Sequence, residues 1–205
     1  SNPSFFLAVL RAYLVNPQSK KRAPIVGEKH YDVGNDLFSL MLDERMNYSC
    51  GYWRNAENLD QAQINKLDLM CRKMHLRSGM NVLEIGCGWG GFAKYAAENY
   101  GVSVHGVTIS KQQAEFAQDS CKGLNVSIEL KDYRELNGQY DCIVSVGMFE
   151  HVGYKNYKKY MEVVHRCLKE DGLFLLHTIG RNYSRRATDP WINKYIFPNG
   201  MTPSA

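Results

Sequence analysis

The stretch VLEIGCGWGG, residues 82–91, decides the fold of this chain. Residues 82–85 have the apolar character of a buried strand, and they run directly into a glycine-rich loop that opens a helical segment at 92–100. Glycines at such a junction let the backbone turn tightly and approach a ligand closely. Three of them also satisfy the spacing G-x-G-x-x-G, so the loop predicts a nucleotide-binding site at the end of the first strand.

The alternation of strand and helix continues along the chain from this loop. Hydrophobic periodicity predicts further strands at 102–109, 126–130, 141–146 and 172–178, and helices at 111–121 and 157–168. Such alternation implies parallel strands joined by right-handed crossovers. We therefore predict a Rossmann-like α/β fold with a doubly wound, mainly parallel sheet.

The segment before the first strand is predicted to be helical in three places. Apolar residues at helical spacing predict a long helix over 59–76, with Asn58 as its N-cap and Gln61 as the capping-box partner. A short helix is expected after the turn at 30–36, and another helix over 4–15. A basic linker that contains proline lies between the helix at 4–15 and the short helix after 30–36.

Two chemical details argue that the glycine loop does not bind NAD. A dinucleotide site needs an acid about 20 residues further on, where it holds the ribose hydroxyls, but the second strand ends Thr108-Ile109-Ser110 without a carboxylate. Glu84, just before the first glycine, suits the cationic amino group of methionine and would not help a pyrophosphate. The arrangement resembles motif I of class I methyltransferases. A glycine turn without a ligand remains the alternative.

The composition is typical of a globular domain, with 44% apolar and 22% charged residues. No apolar run reaches the roughly 20 residues of a membrane-spanning helix, and no signal-peptide layout is present. The net charge of +4 includes basic groups at 20–22 and 181–186. These are either solvated loops or a contact with anionic lipid head groups, whereas nucleic-acid binding would require a broader basic face.

The six cysteines do not predict a metal site. No pair has C-x-x-C spacing and no histidine cluster stands beside them, so neither zinc ligation nor a disulfide framework is expected. Free thiols in a reducing cytosol are the simplest interpretation. Cys87, Cys142 and Cys167 are expected to pack in the core.

A closer resemblance rests on seven segments that cover nearly everything after residue 18. They are HYDVGNDLF (30–38), YSCGYW (48–53), VLEIGCGWGG (82–91), GVTIS (106–110), SVGMFEHVG (145–153), LLHTIG (175–180) and DPWINKYIFPNG (189–200). Together they resemble the cyclopropane-fatty-acyl-phospholipid synthase family, which includes the mycolic acid cyclopropane synthases. The resemblance implies an enzyme that uses S-adenosylmethionine to methylate a cis double bond in a phospholipid acyl chain. A bound bicarbonate ion then removes the proton that allows the cyclopropane ring to close.

The resemblance also implies which residues form the site. The bicarbonate ion would be held by Cys50, Glu150, His177 and Ile179, the last through its backbone. For the cofactor the resemblance implies Tyr48, Ser49, Gly86, Gly88, Thr108, Ile109 and Gln113, and the chemistry and position of the residues add Glu84, Asp132 and Tyr133. Of these, Asp132 and Tyr133 follow the third strand, near the expected adenine, and Thr108 or Gln113 replaces the missing ribose-binding acid. The family adds a tyrosine from beyond Ala205.

Other readings of the same residues remain open. Cys50 is compatible with a buried packing thiol, and His177 with a core histidine. His151 could be the general base of a small-molecule N-methyltransferase, which is the alternative enzyme. A non-catalytic lipid-binding module, built on the helix at 4–15 and the basic linker, is the alternative outside enzymes.

The predicted organisation has four parts, and the fold is expected to stop before its last strands. Residues 1–29 would form a helix and basic linker, 30–78 a helical cap, 79–180 the cofactor-binding core, and 181–205 the start of the substrate side. An open sheet edge would favour self-association, so a homodimer is expected. We expect this chain to bind cofactor without completing catalysis, as a cytoplasmic protein in peripheral contact with the inner membrane.

Overall fold

The computed structural model describes residues 16, 18–20, 35–184, 189–197 and 200–204. In chain order the elements are α1 (Asn35–Met41), α2 (Leu59–Lys73), β1 (Asn81–Ile85), α3 (Gly91–Tyr100), β2 (Ser103–Thr108), α4 (Lys111–Ser120), β3 (Val126–Leu130), β4 (Tyr140–Val146), α5 (Tyr157–Cys167), β5 (Leu168–His177) and α6 (Pro190–Tyr195). The predicted helix at 4–15, most of the basic linker and the start of the 30–38 motif lie outside the described residues.

The strands form one parallel sheet in the order β3-β2-β1-β4-β5. The predicted doubly wound α/β fold is therefore confirmed. The chain winds outward from β1 through β2 to β3, then returns to place β4 on the other side of β1. Ligands of open α/β sheets bind at the carboxyl ends of the strands where this reversal occurs. The loops after β1 and β4 meet at that point.

Helices cover both faces of the sheet because β1 is apolar on both sides. Val82 and Leu83 point in opposite directions and both are fully buried. Val82 packs with α2, α3 and α4, while Leu83 packs with α5 and the short turns around it. Truncating a buried leucine of this kind to alanine costs about 2–5 kcal/mol. The two cores hold β1, and hence the glycine loop, rigidly between them.

Two element boundaries differ from the predicted ones by more than one residue. The helix α2 ends at Lys73 because His75 adopts a left-handed backbone conformation (φ 51°), which turns the chain back toward the core. The strand β5 begins at Leu168, where it pairs with Tyr140 before a shift in register. The polar residues that follow Leu168 conceal this start from any hydrophobic pattern.

The N-terminus of α2 is capped as expected, with one change of partner. The side chain of Asn58 accepts a hydrogen bond from the backbone N–H of Gln61 at 3.0 Å. The Gln61 side chain accepts from the N–H of Glu57 at 2.9 Å, one residue before the expected Asn58. These two hydrogen bonds secure the first turn of the helix.

All six cysteines carry free thiols, and only Cys50 among them is exposed. Within the described part of the chain, no group of three or more histidine, cysteine or acidic residues is arranged to hold a metal ion. No helix in that part is long and apolar enough to cross a membrane.

Candidate active site

The glycine loop after β1 has the backbone that only glycine adopts easily. Gly86 and Gly88 have φ values of 82° and 53°, in the left-handed region. The N–H groups of Gly86 and Cys87 both donate to the carbonyl of Val107, at 2.9 and 3.0 Å, which binds the loop to the end of β2. A Cβ built on Gly88 would meet nothing within 4 Å, so at Gly88 the loop faces open space.

A cavity of about 150 Å³ lies over this loop. Its walls include all ten residues predicted to bind the cofactor, which are Tyr48, Ser49, Glu84, Gly86, Gly88, Thr108, Ile109, Gln113, Asp132 and Tyr133. They come from the loop before α2, the ends of β1 and β2, the start of α4 and the turn after β3. The tertiary structure therefore brings these separated segments to one place, as Rossmann-like topology requires.

Glu84 is a buried acidic residue in the wall of this cavity. Its side chain is 3% exposed, and Oε2 has no hydrogen-bond partner among the described residues. Burial raises the pKa of the Glu84 carboxyl well above its usual value, and the backbone at Ala93 and the charge of Lys66 oppose this only in part. A carboxylate in this environment is stabilised by a cationic ligand, because such a ligand supplies the missing partner.

Thr108 at the end of β2 and Gln113 in the first turn of α4 lie where a dinucleotide-binding site has the acidic residue that binds the ribose. The Thr108 hydroxyl donates to Oε1 of Gln113 at 2.9 Å, and both side chains are buried. Ser110 caps α4 by accepting from the N–H of Gln113, which fixes the first turn of the helix. Gln113 therefore presents its amide nitrogen as a donor, which suits a ribose hydroxyl.

Asp132 has a structural partner that the sequence did not indicate. Its Oδ1 accepts from the N–H of Arg134 and its Oδ2 from the guanidinium of Arg134, at 2.9 and 2.7 Å. The guanidinium also lies 4.7 Å from the ring centre of Tyr133 and donates to the carbonyl of Gln18. Asp132 lines the cavity, but both its oxygens already accept hydrogen bonds, so Arg134 organises this wall.

The four residues predicted to hold an anion form a second cluster beside the cavity. Cys50 Sγ lies 3.6 Å from Nε2 of His177, and the N–H of Ile179 donates to Oε1 of Glu150 at 2.8 Å. The N–H of Gly147 donates to the carbonyl of His177 at 2.9 Å, which joins the ends of β4 and β5. The cluster thus stands at the carboxyl ends of neighbouring strands.

Two buried polar atoms in this cluster lack partners among the described residues. They are Oε2 of Glu150 and Nδ1 of His177. Burial lowers the pKa of His177, and the positive charge of Lys66 lowers it further. The imidazole is therefore neutral at pH 7, with one nitrogen able to donate and the other able to accept. An oxyanion with its own hydroxyl would satisfy both orphan atoms.

His151 lies in the wall of the cofactor cavity rather than in this cluster. Its ring packs against Phe197, with the ring centres 5.9 Å apart. Phe197 also packs against Tyr48, with 6.2 Å between the ring centres. Phe197, just after α6, therefore packs against two residues of the cavity wall.

Two polar residues of α2, Gln63 and Lys66, contact the predicted site but were not predicted from the sequence. Gln63 and Lys66 are 2% and 5% exposed, on the helix face that also carries buried apolar side chains. Gln63 Nε2 donates to the carbonyl of Ser49 at 2.8 Å, and Lys66 Nζ donates to Oγ of Ser49 at 2.7 Å. The sequence did contain a signal for them, because these two polar residues lie on the same helix face as the apolar Leu67 and Met70.

The comparisons with known proteins first define a class. A mycolic acid cyclopropane synthase, CmaA1, complexed with SAH and CTAB, superposes with a TM-score of 0.81 at 36% identity, over 88% of this chain and 70% of that one. Coclaurine N-methyltransferase bound to N-methylheliamine and SAH superposes with a TM-score of 0.77 at 25% identity, over 100% of this chain and 64% of that one. The fold is that of the class I methyltransferases.

The family follows from the sequence comparison. Residues 18–205 match the model of the mycolic acid cyclopropane synthetase family, and the chain belongs to that family. The cyclopropane-fatty-acyl-phospholipid synthase of Escherichia coli (strain K12) is 62% identical over 198 residues, which are 97% of this chain and 52% of the relative. The chain therefore spans about half the length of that relative.

Proposed function

We propose that this chain carries the site of a methyltransferase that adds a methylene group across a cis double bond of phospholipid acyl chains. The observation that carries the proposal is the buried Glu84 carboxyl in a glycine-loop cavity, directly beside a second cluster built around Glu150 and His177. The Glu84 cavity suits a cationic methyl donor, and the Glu150–His177 cluster suits an anionic base. The proposed reaction needs both groups close together. The E. coli relative, by its name, makes a cyclopropane fatty acyl phospholipid.

The cavity suits S-adenosylmethionine, which supplies an electrophilic methyl group on a sulfonium. Glu84 holds the ammonium of the aminoacyl end, since Oε2 lacks a partner. Gly86 and Gly88 let this end approach the backbone. Gln113 donates to the ribose, and Tyr133 flanks the adenine beside the Asp132–Arg134 pair. These residues orient the methyl group, and orientation accounts for much of the rate when the acceptor is a weak nucleophile.

The second cluster suits bicarbonate, which supplies the base for the proton lost on ring closure. Oε2 of Glu150 accepts from the hydroxyl of the ion, and the neutral His177 donates from a ring nitrogen. The backbone N–H of Ile179 donates to Oε1 of Glu150, so Ile179 orients the carboxylate that would hold the ion. The exposed thiol of Cys50 completes the edge of the site, 3.6 Å from His177.

Several exposed apolar side chains support peripheral contact with a membrane at the cytoplasmic surface. They are Leu40, Trp53, Ile179, Tyr183, Trp191 and Tyr195, each more than half exposed. Aromatic side chains of this kind are favoured at membrane interfaces, where one end is apolar and the other wet. The strand β5 is an edge of the sheet in the described residues, which supports self-association into a homodimer.

We also retain the four-part organisation as a proposal. Residues 79–180 contain the glycine loop and, of the anion cluster, Glu150, His177 and Ile179, whereas Cys50 comes from 30–78. Part of 30–78, namely the loop at 47–53 and α2, supplies Ser49 and Lys66 to the same cavity. The functional unit therefore includes the cap as well as the core.

A hybrid enzyme tests the proposal. This chain replaces the matching segment of the E. coli relative, and the hybrid is supplied with S-adenosylmethionine and vesicles of unsaturated or saturated phosphatidylethanolamine. We expect cyclopropane acyl chains, measured by gas chromatography, only from the unsaturated vesicles. A folded hybrid that binds S-adenosylhomocysteine yet forms no ring would contradict the proposed reaction.

Methylation of a small amine is the second candidate. It is favoured by the superposition with coclaurine N-methyltransferase over the whole chain, and by His151 in the cavity wall as a general base. An amine methyltransferase has no evident need for the Glu150–Ile179 and Cys50–His177 contacts. A panel of amines offered to the hybrid beside the vesicles separates the candidates by the methylated product.

A further inference from the structure

We propose that Lys66 is a positioning residue that holds the carboxylate end of the cofactor, acting partly through the hydroxyl of Ser49. The inference rests on the proposed function, because it takes S-adenosylmethionine as the ligand of the cavity. It adds an anion subsite to the cation subsite at Glu84. Together the two subsites would recognise a free α-amino acid group.

The position of Lys66 is the first support. It lies on the buried face of α2, is 5% exposed, and shares the cavity wall with Ser49 and Glu84. Lysines are almost never fully buried without a partner, because the ammonium loses its hydration. Lys66 therefore needs a compensating interaction that its helix does not supply.

The direction of the Lys66–Ser49 hydrogen bond is the second support. An ammonium can only donate, so Oγ of Ser49 accepts, at 2.7 Å. The Ser49 hydroxyl hydrogen is then available to donate to another group. Gln63 holds the Ser49 backbone at the same time, by donating to its carbonyl at 2.8 Å. Ser49 is thus held from both sides, and its hydroxyl is a prearranged donor in the cavity wall.

The charges around Lys66 are the third support. Among the described residues Lys66 forms no ion pair within 4.0 Å, and it donates instead to the neutral hydroxyl of Ser49. Burial lowers the pKa of Lys66 to about 8, although Asp43 and Glu84 raise it. Glu84 likewise has an oxygen without a partner. Lys66 and Glu84 are thus buried groups of opposite sign that line one cavity without an ion pair to each other. A zwitterionic ligand fits this cavity, because its carboxylate would pair with Lys66 and its ammonium with Glu84.

Calorimetry with two ligands tests the role of Lys66. S-adenosylhomocysteine carries both the ammonium and the carboxylate, whereas its decarboxylated analogue, the adenosyl thioether of 3-aminopropane thiol, keeps only the ammonium. We expect Lys66→Met to weaken binding of the first ligand by about tenfold to a hundredfold, as expected for a lost charge-assisted hydrogen bond. The affinity for the analogue should change by less than about twofold, because the analogue has no carboxylate for Lys66 to bind.

Controls separate this role from a structural one. Lys73→Met, at an exposed position of the same helix, should leave both affinities unchanged. Lys66→Gln serves as a second, polar variant, and thermal unfolding verifies that each variant folds. If the Lys66 variants weaken both ligands equally, or neither, the inference is overturned. If the unaltered chain binds neither ligand, the proposed cofactor site itself is wrong, and the inference falls with it.

Discussion

The backbone N–H of Ile179 donates a 2.8 Å hydrogen bond to Oε1 of Glu150. This contact joins the chain just beyond β5 to the short turn beyond β4, and it leaves Oε2 of Glu150 as the oxygen without a partner. The carboxylate is therefore oriented before any ligand arrives. Preorganised groups of this kind cost no rearrangement during a reaction.

The Glu150→Gln variant tests whether Oε2 acts on the anion. The glutamine carbonyl can still accept from Ile179, but the amide nitrogen replaces an acceptor by a donor. In the hybrid enzyme we expect ring formation to fall by about a hundredfold or more, the range typical of a lost acid–base group. Affinity for S-adenosylhomocysteine should change by less than about twofold, because Glu150 lies outside the cofactor cavity. Activity close to that of the unaltered hybrid would refute the assignment.

The Glu84→Gln variant tests the buried carboxyl through pH. The folded-state pKa of Glu84 is raised by burial, so the folded chain binds its proton more tightly than the unfolded chain does. The stabilising contribution is thus present below the unfolded pKa of about 4.3 and is lost as pH rises toward the folded value. We expect the melting temperature of the variant, relative to the unaltered chain, to rise with pH through this window.

The Glu84→Gln variant should also bind S-adenosylhomocysteine about tenfold to a hundredfold more weakly at pH 7, because a neutral amide cannot form an ion pair with the ammonium of the ligand. Calorimetry measures this directly. An unchanged affinity together with the expected pH effect would mean that Glu84 is buried for structural reasons.

The Gly88→Val variant tests the glycine loop, with Gly79→Val as a matched control. Both glycines have left-handed φ values, 53° and 86°, and open space around an added Cβ. Each substitution should therefore destabilise the chain by about 1–3 kcal/mol of backbone strain. Gly88 lines the cofactor cavity and Gly79 does not. Only Gly88→Val should lose affinity for S-adenosylhomocysteine, and equal losses in both variants would assign the effect to strain.

Alkylation tests the accessibility of the anion cluster. Cys50 is exposed, whereas Cys71, Cys87, Cys121, Cys142 and Cys167 are buried. We expect iodoacetamide to modify Cys50 alone in the folded chain, and all the cysteines after unfolding, as counted by intact mass. The modified chain should keep its affinity for S-adenosylhomocysteine, because Cys50 does not line that cavity. Rapid modification of a buried cysteine would indicate local opening.

Patterns local in sequence predicted much of this molecule. The strand–loop–helix unit at residues 81–100 and the strand at 126–130 stand where hydrophobic periodicity placed them, because each depends on neighbouring residues. The start of β5 was missed, since Leu168 joins the sheet through a long-range pairing with Tyr140. The Arg134 contacts with Asp132 were missed for a related reason, since a pattern does not show which side chains meet.

The sequence by itself determined the parallel α/β class, the position of the glycine loop and the placement of Glu84 before it, because these follow from short segments whose geometry is local. Only the tertiary structure decided that Cys50 meets His177, 127 residues apart, and that Lys66 reaches Ser49 from a helix that was predicted by its apolar spacing. Such contacts arise when helices and strand ends pack around one sheet. Burial then shifts the pKa values of Glu84, Lys66 and His177, which no linear pattern encodes.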